Sequence, residues 1–196
     1  REDGVISAVS PRFWTIYAGD VTWPSVYILA AEMLYRHYGD ATAIVKHYDS
    51  MKRWVEYIYK NSMKDGLVVR DEWGDWCMPP EAPELIHSQD PMRKTDGAIL
   101  GSTTFYGLLY KMIDFARISG HSEDIDNYKT HAEALKKAYN KRFFNYETAQ
   151  YGNNSVTGNL LSLRYGLVPD GYEKRVFSNV VEKTEKDCKG HVSTGV

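Results

Sequence analysis

The chain has 196 residues, which is enough for one ordinary domain or for part of a larger one. Hydrophobic residues make up 43% of it and charged residues 26%, so the composition predicts a packed core and disfavours intrinsic disorder. Lys and Arg number 24 against 26 Asp and Glu, and the resulting net charge of −2 offers no basic excess that would favour nucleic acid as a partner.

The first predicted element is a helical hairpin. Asp20, Thr22 and Pro24 are typical of a helix start, and apolar residues then follow helical spacing until Gly39. Asp40 can cap the next helix, whose apolar stripe runs from Ile44 to Ile58. The two helices are therefore expected to pack side by side with almost no loop between them.

A second helical pair is predicted in the middle of the chain. Its first helix begins near Ser102 and ends at Gly120. Ser122 starts the next helix, with Glu123 and Asp124 in the favourable first turn and an apolar stripe that reaches Tyr139.

A third, weaker pair is predicted near the end of the chain. A short helix over Val156–Tyr165 stops at Gly166, and Asp170 opens another helix that runs toward Gly190. The predicted fold class is therefore all-α, with three antiparallel helical hairpins.

One long loop, residues 61–97, interrupts this pattern. It shows no sustained periodicity and carries short extended segments, among them a predicted strand over Leu67–Arg70. Loops longer than about 12–15 residues in compact domains are usually functional or disordered. Two tryptophans argue against disorder here, so we expect a functional loop.

The run Asp71–Cys77 in this loop contains three carboxylates and two indoles, namely Asp71, Glu72, Asp75, Trp73 and Trp76. Carboxylates accept hydrogen bonds from hydroxyls and indole faces stack on sugar rings, so the run suits binding of a polyol. A pair of its acids acting on a glycosidic bond is a second interpretation. The third is structural, with the tryptophans in the core and the acids in water.

A second polar run, Tyr151–Asn159, lies at a predicted helix start. Short amides and hydroxyls at such a position usually serve capping and turns, which we favour over binding of vicinal hydroxyls. The composition of the terminal run His191–Gly195 does not by itself indicate a function.

Several functional classes lack their usual motifs. The histidines form no metal-spaced set, and no phosphate-binding loop, dinucleotide fingerprint or nucleophile turn is present, so we expect no metal and no cofactor. The longest apolar run, Val26 to Ala31, is far shorter than the ~20 residues of a membrane helix. Cys77 and Cys188 fit two free thiols better than one bridge. Since the first residue is Arg1, we expect the chain to begin inside a longer gene product or after processing.

Short motifs spread over the whole chain are shared, in the same order, with one enzyme family. They are Asp3-Gly4, Pro11, Gly19-Asp20, Trp23, Tyr38-Gly39-Asp40, Gly74-Asp75-Trp76, Gly166-Leu167-Val168-Pro169 and His191-Val192-Ser193-Thr194-Gly195. In their order and spacing the chain resembles the catalytic domain of bacterial α-L-rhamnosidases of glycoside hydrolase family 78.

The resemblance implies an (α/α)6 toroid of six helical hairpins, of which residues 1–196 form about half. It also implies that the full-length protein hydrolyses terminal α-L-rhamnose with inversion. The family's acid glutamate lies upstream of the Asp3-Gly4 equivalent and its base lies downstream of the Gly195 equivalent, so no catalytic residue is expected in this chain. Pro24-Ser25 and the run Val156–Asn159 depart from the family pattern and leave the sugar open.

The predicted substrate-binding residues follow from this resemblance together with the polar run. Trp76 is expected to stack on the sugar and Asp75 to hold its hydroxyls, with Trp73 and His191 as neighbours. A carbohydrate is the expected partner, without nucleic acid or membrane, and a half toroid is expected to self-associate. The alternatives are another six-hairpin carbohydrate-active enzyme and a helical-hairpin scaffold that binds protein.

Overall fold

A computed structural model describes residues 3–9, 20–69, 71 and 73–195. The helices are α1 Val26–Tyr38, α2 Thr42–Asn61, α3 Gly97–Ser119, α4 Ile125–Phe143, α5 Val156–Arg164 and α6 Glu173–Lys186, with a 3-10 turn at Ser122–Asp124. Two short antiparallel ribbons pair β1 Met63–Lys64 with β2 Leu67–Val68 and β3 Phe144–Asn145 with β4 Gln150–Tyr151. The prediction of an all-α chain is confirmed.

Consecutive helices pack as three hairpins. α1 contacts α2, α3 contacts α4, and α5 contacts α6, while α3 also contacts α1, α2 and α5. The odd-numbered helices thus form a continuous inner layer, and the even-numbered ones cover it from outside. This is half of an (α/α)6 toroid, as predicted. No helix among the described residues is long and apolar enough to cross a membrane.

The first hairpin matches its prediction closely. Gly39 ends α1, and the Asp40 carboxylate accepts the Thr42 N–H at 2.8 Å where α2 begins. Pro24 lies in the turn before α1, where its carbonyl accepts the Tyr27 N–H. The helix therefore begins slightly later than the proline suggests.

Two predicted helix starts are displaced. α3 begins at Gly97 rather than near Ser102, because Asp96 caps it and its carboxylate accepts the Ala98 N–H at 2.7 Å. Its first turns are buried on all sides, so no amphipathic stripe marks them. α6 begins at Glu173 rather than at Asp170, since the turn before it includes Pro169. Of the predicted strand Leu67–Arg70, the first two residues form β2 and Arg70 lies outside the described residues.

The core is centred on α3, whose buried side chains pack between the neighbouring helices. The largest fully buried side chains around it are aromatic: Trp54, Tyr48, Tyr139, Tyr151, Phe105 and Phe115. Most of the aromatic residues that the structure describes lie in this core or pack against it. Both cysteines are free thiols, with Cys77 exposed and Cys188 buried, as predicted.

A polar clamp joins the outer helices α2 and α4 beyond the C-terminal end of α3. The Asp124 carboxylate accepts hydrogen bonds from the Tyr48 hydroxyl at 2.9 Å and from the Lys52 ammonium at 2.6 Å. Burial by itself raises the pKa of Asp124, but the bonds from Lys52 and Tyr48 outweigh it and hold the pKa below its ordinary value. The ionised carboxylate is thus the form that the fold stabilises.

We expect Asp124→Asn to lower the free energy of unfolding at pH 7 by about 1–2 kcal/mol, because Lys52 loses its partner and is itself partly exposed. A carboxylate with a lowered pKa stabilises the fold above its unfolded pKa, and that contribution is lost as the pH falls through the folded pKa. The difference between variant and wild type should therefore shrink below about pH 4. Urea unfolding of the variant and the wild type at pH 7 and below about pH 4 measures this difference in the free energy of unfolding. A difference that stays constant with pH contradicts the prediction.

Candidate substrate-binding site

The linkers that precede the inner helices meet at one end of the molecule. Asp71, in the loop before α3, is 4% exposed, and its Oδ2 accepts the N–H groups of Val21 at 3.0 Å and Thr22 at 2.7 Å, which precede α1. Gly97, at the start of α3, lies so close that an added Cβ would be 2.4 Å from the Asp71 carbonyl oxygen. The starts of α1 and α3 are therefore held together through Asp71.

Asp75 joins three more segments at the same end. Its carboxylate is 2% exposed and accepts the Thr95 N–H at 3.1 Å, the Thr157 hydroxyl at 3.2 Å and the Gly195 N–H at 2.8 Å. These donors belong to the approach to α3, the first turn of α5 and the segment after α6. Residues 20–25, 71, 73–78, 94–97, 153–157 and 191–195 meet at this end of the molecule, which we call the mouth.

An aromatic wall, formed by Trp23, Trp73, Trp76 and His87, lines part of the mouth. The Trp73 and Trp76 rings meet edge to face with centroids 5.9 Å apart, and Trp76 meets His87 in the same way at 6.1 Å. The Trp23 Nε1–H donates to the Trp73 carbonyl oxygen at 2.8 Å. Trp76 is 38% and Trp23 46% exposed, so both indoles present ring surface to solvent while their positions are fixed.

The structure brings two of the four predicted binding residues into this wall. The Trp73 and Trp76 rings are neighbours. The oxygens of the buried Asp75 accept hydrogen bonds from protein donors, so its contact with a sugar remains a prediction. Trp23 and His87 were missed by sequence reasoning. Trp23 was visible as a motif residue ahead of a helix start, whereas nothing in the sequence marked His87. Glu72 lies outside the described residues.

His191 is exposed and lines a cavity of about 590 Å³. Pro79, Pro80 and Arg93 also line this cavity, and Ser193 contributes a buried hydroxyl that has no partner among the described residues. Such a volume is typical of small-ligand sites. His191 thus belongs to a segment that Asp75 holds, without a described contact to the wall.

The loop beyond Trp76 is cross-linked by Glu81. Its carboxylate accepts hydrogen bonds from the Ser88 hydroxyl and from the Gln89 N–H, and Arg93 lies 3.7 Å away. The Ser88 bond, followed by the Gln89 and Arg93 interactions, lowers the pKa of Glu81 to about 2 against an opposing effect of burial. The charged form therefore holds residues 81–93 together.

The run Tyr151–Asn159 serves capping, as predicted. The Ser155 hydroxyl accepts the Gly158 N–H at 3.1 Å and caps α5, and the Asn159 side-chain oxygen accepts the Tyr151 N–H at 3.1 Å. The Ser155 hydroxyl also bonds to that of Thr95 at 2.7 Å. The polar residues of this run thus fix the start of α5 against the start of α3.

A group of potential metal ligands, His121, Glu123 and Asp124, lies away from the mouth beyond the C-terminal end of α3. The Lys52 ammonium already occupies the Asp124 carboxylate, and the His121 ring stacks on Tyr48 at 4.4 Å. These contacts fit a role in the polar clamp better than a role in a cation-binding site.

The family of the chain follows from comparison with known proteins. A model of the bacterial α-L-rhamnosidase six-hairpin glycosidase domain matches residues 1–196. The chain belongs to this family. Its sequence is 31% identical to an α-L-rhamnosidase of Formosa agariphila over 98% of this chain, and 24% identical to one of an Alteromonas species over 99%. It spans about a fifth of the length of these relatives, 20% and 21% respectively.

Solved structures show the same architecture. The α-L-rhamnosidase of Dictyoglumus thermophilum superposes with a TM-score of 0.86 at 30% identity, covering 100% of this chain and 21% of that one. The Streptomyces avermitilis enzyme, solved in complex with L-rhamnose, gives 0.85 at 21% identity over 100% of this chain and 17% of its own. Membership of a six-hairpin glycosidase family thus favours a carbohydrate-active domain over the predicted alternative of a protein-binding scaffold.

We expect Asp71→Asn to loosen the turn before α1, because one carboxylate oxygen, Oδ2, accepts both N–H groups and a neutral amide oxygen in its place is a weaker acceptor. The free energy of unfolding should fall by about 1–3 kcal/mol, and hydrogen exchange at the Val21 and Thr22 amides should accelerate. Asp40→Asn is the matched control, since it alters an exposed carboxylate that accepts one backbone N–H. Equal protection of both amides in Asp71→Asn and wild type contradicts this account.

Proposed function

We propose that the mouth binds a terminal α-L-rhamnose unit within a longer inverting glycosidase. The observation that carries this is the exposed Trp76 ring, which Trp73 and His87 hold where the inner helices begin. Family membership supports the choice of sugar. A rigid aromatic face suits a deoxysugar, because its methyl and C–H groups form a weakly polar surface.

Trp76 provides the stacking surface in this proposal, and Trp23 extends it. Their rotation is restricted, since the Trp23 N–H is bound to the Trp73 carbonyl and the Trp76 ring is flanked by aromatic edges. A preorganised surface loses little conformational entropy when a ligand binds. Trp73 acts mainly by supporting the other two rings, and His191 reaches the substrate from the neighbouring segment.

The catalytic pair is proposed to lie in flanking segments of the longer protein. Inversion needs two carboxyl groups about 6.5–9.5 Å apart on opposite sides of the scissile bond. Asp71 and Asp75 are poor candidates, because both are buried and accept hydrogen bonds from backbone and hydroxyl donors of the mouth. This burial supports a binding role for the chain rather than a catalytic one.

We expect Trp76→Ala in the longer polypeptide to lower kcat/KM on an aryl α-L-rhamnoside at least tenfold, because a stacked indole stabilises the bound sugar by more than about 1.4 kcal/mol. Trp76→Phe should retain most of the activity, since it keeps an aromatic face. Steady-state kinetics across a substrate series measure both.

Phe177→Ala is the matched control, because Phe177 is a 55% exposed aromatic residue on α6, outside the mouth. It should leave kcat/KM unchanged. The 196-residue chain alone should leave the aryl rhamnoside intact. Unchanged kinetics in Trp76→Ala would sink the stacking role, and turnover by the isolated chain that is lost in Asp75→Asn would place catalysis inside it.

We also propose that the isolated chain self-associates through α1. This inner helix buries only Ile28 and Ala31, while Val26 and Met33, seven residues apart on one face, are 61% and 59% exposed. In a closed toroid a further hairpin would cover that face. Apolar surface of this kind drives association in water.

Sedimentation of the isolated chain should therefore show dimers or larger species, and the double variant Val26→Lys, Met33→Lys should shift it toward monomer. Phe177→Lys, which changes an equally exposed apolar residue on α6, should leave the distribution as in wild type. A monomeric wild-type chain at concentrations near 100 μM would contradict the prediction.

A further inference from the structure

We propose that Asp75 is a positioning residue, which sets the segment around Gly195 relative to the Trp76 surface; this rests on the proposed function above. Its carboxylate accepts hydrogen bonds from three segments that are far apart in sequence, through Thr95, Thr157 and Gly195. Trp76 follows Asp75 directly in the chain. One buried side chain therefore fixes the position of the binding surface against that of the segment after α6.

The backbone packing around Gly195 supports this role. A Cβ at position 195 would lie 2.7 Å from the Met78 nitrogen and 2.8 Å from the Cys77 nitrogen. The segment after α6 thus lies directly against the backbone that follows Trp76. The hydrogen bond from the Gly195 N–H to Asp75 Oδ1, at 2.8 Å, is the shortest of the three that the carboxylate accepts, and it fixes this contact from the other side.

The chemistry of the carboxylate explains why an aspartate is needed. With 2% exposure it has little room for a sugar hydroxyl, and its oxygens already accept two N–H groups and one hydroxyl. An asparagine has the same shape but only one acceptor oxygen, and its NH2 group would face a donor. The structure therefore gives Asp75 an indirect part in activity, through the placement of Trp76 and of the chain around Gly195.

If Asp75 positions these groups, its substitution should lower kcat more than it changes KM. A displacement of about 1 Å between reacting groups can cost on the order of 100-fold in rate. We expect Asp75→Asn in the longer polypeptide to lower kcat about tenfold to a hundredfold, with a smaller factor in KM, because the sugar still meets the Trp76 ring but the groups that act on it are misplaced.

Asp124→Asn is the matched control. Asp124 is also a buried aspartate, and its two donors, Tyr48 and Lys52, both lie on α2. It lies beyond the far end of α3, a helix of 23 residues and thus about 35 Å long. It should lower the melting temperature while leaving kcat and KM within twofold of wild type. Equal kinetic effects of the two substitutions, measured on folded enzyme, would overturn the proposal.

Two further variants keep the test decisive if Asp75→Asn does not fold. Gly195→Ala leaves the carboxylate intact but forces the segment away from Cys77 and Met78, and Thr157→Val removes a single donor. Both should lower kcat more than they change KM. A kcat within twofold of wild type in Gly195→Ala, with hydrogen exchange at the amide of residue 195 accelerated, contradicts the positioning role, because the segment then moves without slowing turnover.

A structural measurement separates this inference from the proposed function. In the 196-residue chain, Asp75→Asn should accelerate hydrogen exchange at the Thr95 and Gly195 amides and shift the indole N–H resonance of Trp76, whereas Asp124→Asn should do neither. If the wild-type longer polypeptide does not cleave rhamnosides, the proposed function fails, while these changes would still show that Asp75 links the Gly195 segment to Trp76. If it cleaves them and no shift appears, the linkage fails.

Discussion

The fold depends on how the starts of three inner helices are brought together without leaving their backbone N–H groups unpaired. The first turn of every helix has donors with no intrahelical partner, and burying them unpaired is costly. Here side-chain acceptors supply the partners. Asp96 caps α3, Ser155 caps α5, and Asp71 accepts backbone N–H groups of the turn before α1. The negative carboxylates also complement the positive ends of the helix dipoles. The mouth is therefore held by acceptors that the linkers themselves carry.

The aromatic wall is a consequence of that arrangement. Asp71 and Asp75 are anchored to different segments, and the residues between and beside them, Trp73 and Trp76, are thereby held at fixed positions. Trp23 then attaches through its N–H to the Trp73 carbonyl. A loop of this length would ordinarily lose much conformational entropy on binding a ligand, but here the ordering has been completed during folding. Buried acids alternate in this segment with one half-buried indole and one exposed indole, and this alternation makes the segment a rigid surface.

The helices could be predicted from the sequence because local chemistry decides them. The sequence predicts that Gly39 ends α1 and that Gly120 ends α3. It also predicts the Asp40 cap and the 3.6-residue apolar stripe of α2. The start of α3 was not predicted correctly, since a helix buried all round has no polar face to mark its beginning. For the site, the residue types of the run Asp71–Cys77 pointed to carbohydrate, but no pattern could tell that Asp75 is 2% exposed. The burial of this carboxylate depends on donors up to 120 positions away, as Gly195 is, and the local sequence gives no sign of them.

The burial that makes the mouth rigid also makes Asp71 and Asp75 unsuitable as general acids or bases. A general acid or base must reach its proton, which means an accessible oxygen that is not already committed to other donors. Asp75 has its oxygens committed, and Asp71 is committed through Oδ2 while its Oδ1 is enclosed without a partner among the described residues. Either carboxylate could act on a glycosidic bond only if the linkers separated, and that would also dismantle the surface proposed to bind the sugar. In the proposed function, sugar binding and acid–base catalysis are therefore carried out by different residues, and the catalytic pair is supplied from outside these linkers.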